Sequence, residues 1–180
     1  MEIISTKIGY ECPILKVEER LVKINGIEET HYVVIRQPNV TVLALDNEGN
    51  FVFIKQSRGK NNTVKLELPS GKLDKYDVTD EEAEDQGLIE LREETGFVPK
   101  NIKLIKKDVV ISSWFERDFY LYVAWDLENI GQKLEETESI EVQLIKPEDV
   151  YDRVDMKGLI PQEELLIEEA IKFFESMGRI

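Results

Sequence analysis

The sequence predicts an α/β fold, a mixed β-sheet covered by a small number of helices, within one chain of 180 residues. Three observations predict it. Short apolar runs of strand length recur along the chain, each bounded by turn signals. Residues 81–95 and the segment after Pro161 instead carry helix caps or an amphipathic stripe. The length suits a single domain able to bury a sizeable core, and 42% hydrophobic residues is ordinary for a globular protein. Alternating strands with few helices fit a sandwich of this kind.

The elements follow in order. Leu15–Ile24 and residues 30–36 are β-rich and flank Asn25-Gly26, the preferred pair for a two-residue hairpin turn. Pro38-Asn39 breaks the chain. Residues 40–46 (VTVLALD) and 51–56 (FVFIKQ) are strands joined by a turn over Asn47, Glu48, Gly49 and Asn50. A polar loop over 57–63 leads to a short strand at 64–68, then to Pro69-Ser70-Gly71 and an acidic loop over 72–80. A helix over 81–95 follows. Thr79 is placed to cap it, Ala83, Gly87, Leu88 and Leu91 to pack it, and Gly96 to stop it. Strands are expected at 102–111, 119–125 and 140–145. Pro147 and Pro161 each open a helix, the second with Leu165, Leu166, Ala170, Phe173 and Phe174 as its apolar stripe.

Composition narrows the function classes. With 37 acidic and 23 basic residues the net charge is −14, a surface that repels nucleic acid and anionic lipid. No apolar run approaches the length of a membrane span, and the start MEIISTKIGYECP lacks the pattern of a signal peptide. The single cysteine, Cys12, reads as a half-buried strand residue and suits a reducing cytoplasm. His31 is the only histidine and sits in a β-rich stretch, which removes His-based acid–base chemistry.

The chemistry concentrates between Gly71 and Phe97. On a helix Glu90, Glu93 and Glu94 stand at i, i+3 and i+4, so three carboxylates share one side within a turn. Like charges so placed repel unless a cation sits among them. A hard divalent ion such as Mg²⁺ is usually held by a few carboxylates together with substrate phosphates. Glu163-Glu164 and Glu168-Glu169 in the last helix lack any such surroundings and read as a solvated face.

This stretch resembles the Nudix box, whose pattern is Gly, five residues, Glu, seven residues, then Arg-Glu-apolar-x-Glu-Glu-x-Gly-apolar. Gly96, Glu94, Glu93, Leu91 and Glu90 match, and Glu81 lies at the correct distance. Two positions depart: Ile89 stands where the family has Arg, and Gly71 lies four residues too far upstream of Glu81. The run LELPSGKLD over 66–74 is similar to the one that opens the box in ADP-ribose pyrophosphatases, and Gln56-Ser57-Arg58 falls where those enzymes carry Gln-x-Arg.

The resemblance implies a Nudix α/β/α sandwich over residues 38–180, preceded by an N-terminal β region, 1–37, that pairs two copies into a homodimer. It implies divalent-metal-dependent hydrolysis of a nucleoside diphosphate derivative, with ADP-ribose or another ADP-sugar first. GDP-mannose is an alternative substrate, and a nucleotide- or partner-binding domain without catalysis is an alternative function. Glu90, Glu93, Glu94 and the Ser70 carbonyl would hold Mg²⁺ or Mn²⁺. Glu93 counts with Glu138 among the catalytic groups, and Glu138, with Glu136 as second choice, would act on the attacking water. Arg58 would clamp a phosphate. Without an Arg at 89, Glu81 must face water or find Lys72, Lys75 or another cation. Trp114-Phe115, in a turn between strands, reads as packing against the core in preference to stacking on a nucleobase.

Overall fold

The computed structural model describes residues 1–58, 63–134, 139–156 and 159–180, with Arg58 described through its backbone alone. The described strands are β1 (Glu2–Cys12), β2 (Leu15–Ile24), β3 (Ile27–Arg36), β4 (Asn39–Leu45), β5 (Phe51–Arg58), β6 (Thr63–Glu67), β7 (Ser70–Lys72), β8 (Phe97–Ile111), β9 (Phe115–Asn129) and β10 (Ile140–Ile145). Helix α1 (Asp80–Thr95) lies between β7 and β8, while α2 (Val150–Arg153) and α3 (Pro161–Ser176) close the chain. The strands form one mixed sheet in the order β1-β2-β3-β9-β4-β5-β10, with β6 on β5, β7 on β4 and β8 on β9.

The sheet is covered on both faces. Val40, Val42 and Ala44 of β4, with Tyr120 and Tyr122 of β9, pack under Ala83 and Leu91 of α1. The intervening Leu43 and Leu45, with Leu121 and Val123, pack under Leu166, Ala170 and Phe174 of α3. Burial on both faces explains why β4 reads as a nearly unbroken apolar run. β3 and β4 both run parallel to β9, interrupted at Gln37-Pro38. Arg117 spans that break: its Nε donates to the Gln37 carbonyl at 2.9 Å and its Nη2 to Asn39 Oδ1 at 3.0 Å. Burial, with Arg36 nearby, pulls its pKa down to about 10.

The expected turns hold. Asn25 and Gly26 both take positive φ, 53° and 85°, as a tight hairpin between strands of right-handed twist requires. At the next turn Asp46 Oδ1 accepts from the N–H groups of Glu48 and Asn50, and Gly49 supplies φ 83°.

Several expectations need correction. Residues 2–12, of which the sequence places only Cys12 on a strand within the expected β region 1–37, form a full strand, β1, paired with β2 from Glu2↔Lys23 to Cys12↔Leu15. Its periodicity is masked because both faces are exposed, so no apolar alternation marks it. Ser70–Lys72 is a strand on β4, not part of a loop. β8 and β9 are each 15 residues long, because their pairing extends past the apolar stretches that flag them. The segment after Pro147 is a 3₁₀ turn followed by one helical turn. Trp114 is 63% exposed and does not cap the core; it sits in the Ser112–Phe115 turn, where its carbonyl accepts from Val34 N of β3 at 2.7 Å. No helix among the described residues is long and apolar enough to cross a membrane.

Gly96 ends α1 at φ 78°, and its N–H reaches the Arg92 carbonyl at 2.8 Å. A Cβ there would lie 2.6 Å from the Gly131 carbonyl carbon and 2.7 Å from the Gln132 nitrogen, both backbone. Strain and collision act together, so Gly96→Ala is expected to cost about 1–3 kcal/mol. Urea unfolding of both proteins checks this; an unchanged midpoint would refute it.

Candidate active site

Helix α1 carries the candidate site, and its local sequence explains where it begins and ends. Thr79 caps it by accepting from Glu82 N at 3.3 Å, while Glu82 Oε2 returns to Thr79 N at 3.0 Å. Two tyrosines of β9 fix the approach to the helix from below. Tyr120 donates to the Val78 carbonyl and Tyr122 to the Asp80 carbonyl, both at 2.8 Å, and Lys107 Nζ donates to the Tyr120 hydroxyl at 2.7 Å. Gly87 lets the helix approach β4 closely: a Cβ there would meet Val40 Cγ2 at 3.0 Å and Val42 Cγ2 at 3.1 Å.

That approach brings two of the expected carboxylates onto β7. Glu94 is only 6% exposed, and its Oε2 accepts from Ser70 N at 3.0 Å. Glu90 lies against the next residue, so close that a Cβ on Gly71 would fall 1.8 Å from its Oε1. The same oxygen accepts from Gln86 Nε2 at 2.8 Å. Glu94 and Glu90 thus flank the Ser70–Gly71 peptide. Glu93 is half-buried one residue away, and its carbonyl accepts from Lys133 N at 3.1 Å.

The trio is not gathered into a closed cage. Among the described residues no group of three or more His, Cys, Asp or Glu side chains is arranged to hold a metal ion. Glu90 and Glu94 instead take separate donors, which relieves the repulsion expected of like charges one turn apart. An open, all-oxygen donor set beside a backbone carbonyl still fits a cation that completes its shell with substrate phosphate and water. Glu90 and Glu94 beside Ser70, with Glu93 on the same helical turn, are the oxygen-bearing groups nearest to such a position.

Ile89 is 45% exposed on α1, and Glu81 is exposed near the helix start. The pairing considered for Glu81 falls to its neighbour, since Lys75 binds Glu82 and holds that carboxyl below its usual range. Glu138 and Glu136 lie outside the described residues, as does the Arg58 side chain. The flanks of the acidic segment are placed, however. Gln132 Nε2 donates to the Glu94 carbonyl at 2.6 Å and to the Ile140 carbonyl at 3.3 Å, tying both ends to the last turn of α1. Beside Ile140 a cleft of 320 Å³ is lined by Lys55, Gln56, Ser57, Val64, Ser139 and Glu141.

Sequence reasoning named Gln56 without its contact and missed two further contributors. Gln56 is buried and donates from Nε2 to Glu67 Oε2 at 3.1 Å, so the Gln-x-Arg strand and the LELPSG strand are joined by side chains. Gln132 carried no signal at all. Glu163 is a correction: it is 6% exposed, not part of a solvated face, and its Oε1 accepts from Leu68 N at 3.1 Å. Its spacing in the α3 stripe, three residues before the buried Leu166, marks it as inward-facing; its charge hid that.

Gly71→Ala tests the geometry. The new methyl displaces the flexible Glu90 carboxylate while β7 keeps its backbone pairing. Hydrolytic turnover is expected to fall by about a hundredfold, as for a misplacement of about 1 Å. Circular dichroism should stay parental; parental turnover would show that the position of Glu90 is immaterial.

The NUDIX domain profile matches residues 35–165. An ADP-ribose pyrophosphatase of Bacillus subtilis (strain 168) is 30% identical over 135 residues, covering 74% of this chain and 71% of that protein. A methanol dehydrogenase activator of Bacillus methanolicus is 27% identical over 182 residues and spans 94% of each chain. Among solved structures, one described as an ADP compounds hydrolase superposes with a TM-score of 0.77 at 17% identity, covering 99% of this chain and 96% of its own; that likeness speaks for the fold. Because the profile runs from the end of β3 into α3, and the box helix presents its carboxylates to β7, the chain belongs to the Nudix family of hydrolases, enzymes that cleave nucleoside diphosphates linked to another moiety.

Proposed function

We propose that this hydrolase splits the pyrophosphate bond of a nucleotide-sugar, with ADP-ribose or another ADP-sugar as its substrate and Mg²⁺ or Mn²⁺ as its cofactor. The observation that carries the reading is the pair Glu90 and Glu94 on either side of the Ser70–Gly71 peptide. The ADP-sugar preference is supported by the relative of 30% identity whose name is ADP-ribose pyrophosphatase.

Glu90, Glu93, Glu94 and the Ser70 carbonyl would hold the cation, which when bound polarises the pyrophosphate oxygens and offsets charge developing on the leaving phosphate. Glu138 takes the proton of the attacking water as its oxygen bonds to phosphorus. The bridging P–O bond breaks, and its electron pair leaves with the departing phosphate. Arg58 clamps the phosphate that is not attacked. With ADP-ribose the products are AMP and ribose 5-phosphate. A reducing cytoplasm, consistent with the single Cys12, is the proposed setting.

Profiling phosphate esters released from ADP-ribose, other ADP-sugars, GDP-mannose and dinucleoside polyphosphates tests the substrate. ADP-sugars are expected to turn over fastest, EDTA to abolish turnover and added Mg²⁺ to restore it. Glu94→Gln is expected to lose at least about a hundredfold in rate. Activity confined to GDP-mannose would overturn the substrate, and full turnover in chelator would overturn the metal.

We also infer a homodimer built through residues 1–37. Apart from Cys12 every residue of β1 is exposed, Ile3, Ile8 and Tyr10 included. An edge strand with apolar side chains exposed on both faces is a surface that a partner can cover. A second copy laid on β1–β3 would cover these side chains. Light scattering after size exclusion is expected to give twice the chain mass of 20.9 kDa, and Ile8→Asp with Tyr10→Asp to shift it to the monomer. A parental monomer would overturn this.

A further inference from the structure

The segment Leu68-Pro69-Ser70 carries three anchors. Pro69 O accepts from Val42 N at 2.9 Å, Ser70 N donates to Glu94 at 3.0 Å, and Leu68 N donates to Glu163 Oε1 at 3.1 Å. The first two come from elements already joined to the site. The third comes from α3, which packs on the other face of the sheet and is otherwise remote from the carboxylates.

Glu163 also serves its own helix, since Oε2 accepts from Ile160 N at 3.1 Å. That cap alone does not require burial. A carboxylate at the third helical position can reach the cap nitrogen from the surface, as Glu82 does on α1. Glu163 is instead 6% exposed, and a buried carboxylate is costly unless its oxygens are hydrogen-bonded. The Leu68 N–H uses the second oxygen, and the Leu68 side chain is itself fully buried in the α3-side core.

We propose that Glu163 is a positioning residue for the candidate metal site. Its carboxylate fixes Leu68, and through Pro69 it sets where the Ser70 carbonyl and Gly71 stand relative to Glu94 and Glu90. The inference rests on the metal reading given above. Loss of a group that orients a ligand from behind typically costs metal affinity or activity, and here the bonds reach the ligand-bearing segment only through its backbone.

Mn²⁺ binding to the full-length protein without substrate, followed by electron paramagnetic resonance, gives a readout independent of turnover. Glu163→Ala removes both bonds and is expected to weaken Mn²⁺ binding by about tenfold or more. The Mg²⁺ concentration for half-maximal turnover should rise in parallel, with kcat at saturating Mg²⁺ largely retained. Glu163→Gln sets an amide donor against one of two N–H groups, so it keeps one bond and should show a smaller shift in the same direction. Glu164→Ala, exposed in the same turn, should match the parent.

All measurements are made well below the melting temperatures. A lowered melting temperature with parental Mn²⁺ affinity in both Glu163 variants overturns the proposal, leaving a helix cap alone. Should Glu163→Ala fail to fold, parental affinity in Glu163→Gln does the same. A parent that binds no Mn²⁺ and turns over in chelator overturns the metal reading itself, which is a different result.

Discussion

The peptide between Ser70 and Gly71 is the constraint on which the rest of the site depends. The Ser70 N–H that precedes it is held by Glu94, and the Gly71 α-carbon that follows it leaves no room beside Glu90 for even a methyl group. Two features of sequence make this possible. Gly87 brings α1 within contact of Val40 and Val42, and Gly71 lets the carboxylate close on β7. Since β7 pairs with β4, and α1 packs on β4, one strand sets the distance between both halves of the site. Packing of an apolar face therefore decides where charged oxygens end up.

That arrangement also accounts for how a chain of net charge −14 can take an anionic substrate. The overall field is unfavourable to a pyrophosphate, and Glu90, Glu93 and Glu94 worsen it locally. A divalent cation, if held by those same groups as proposed, would reverse the local sign, because a bound ion is commonly the largest charge in its site. Glu94 accepts from Ser70 N, which supplies its buried carboxyl with a donor. The acidic surface and the acidic site thus differ in consequence: the first discourages nucleic acid, while the second suits the proposed cation.

Much of this was legible in the chain, and what was not has definite causes. The turn at Asn25-Gly26, the cap at Thr79 and the stop at Gly96 act locally, so residue type alone reveals them. β4 was legible because burial on both faces leaves an apolar run. β1 was not, because a strand with two exposed faces leaves no periodic trace. The row of carboxylates was readable from helical spacing, whereas their partners were not. Ser70 N, Gln132 and Glu163 meet α1 or its neighbouring strand through tertiary contacts across 24, 38 and 95 residues of sequence separation. Glu163 shows the sharper lesson, since charge argued for the surface while its place in the α3 stripe argued for the interior, and the hydrogen bond to Leu68 resolves the conflict.

The Ile at position 89 looks at first like damage to the box, and the structure shows why it need not be. Ile89 is 45% exposed, and with Ile at 89 Glu94 still accepts from Ser70 N and Glu90 from Gln86. The remaining question is what steadies Glu81 without an arginine. Glu81 lies in the first turn of α1 with Asp80 and Glu82, where unpaired N–H groups and the helix dipole favour negative charge. Lys75 neutralises Glu82, reducing the repulsion Glu81 feels from its neighbour. Lys75 itself belongs to the segment lengthened by four residues relative to the family pattern. The longer loop thus carries a cation close to the helix start, but Glu82 and not Glu81 takes it up, so Lys75 acts on Glu81 only by lowering the repulsion from its neighbour.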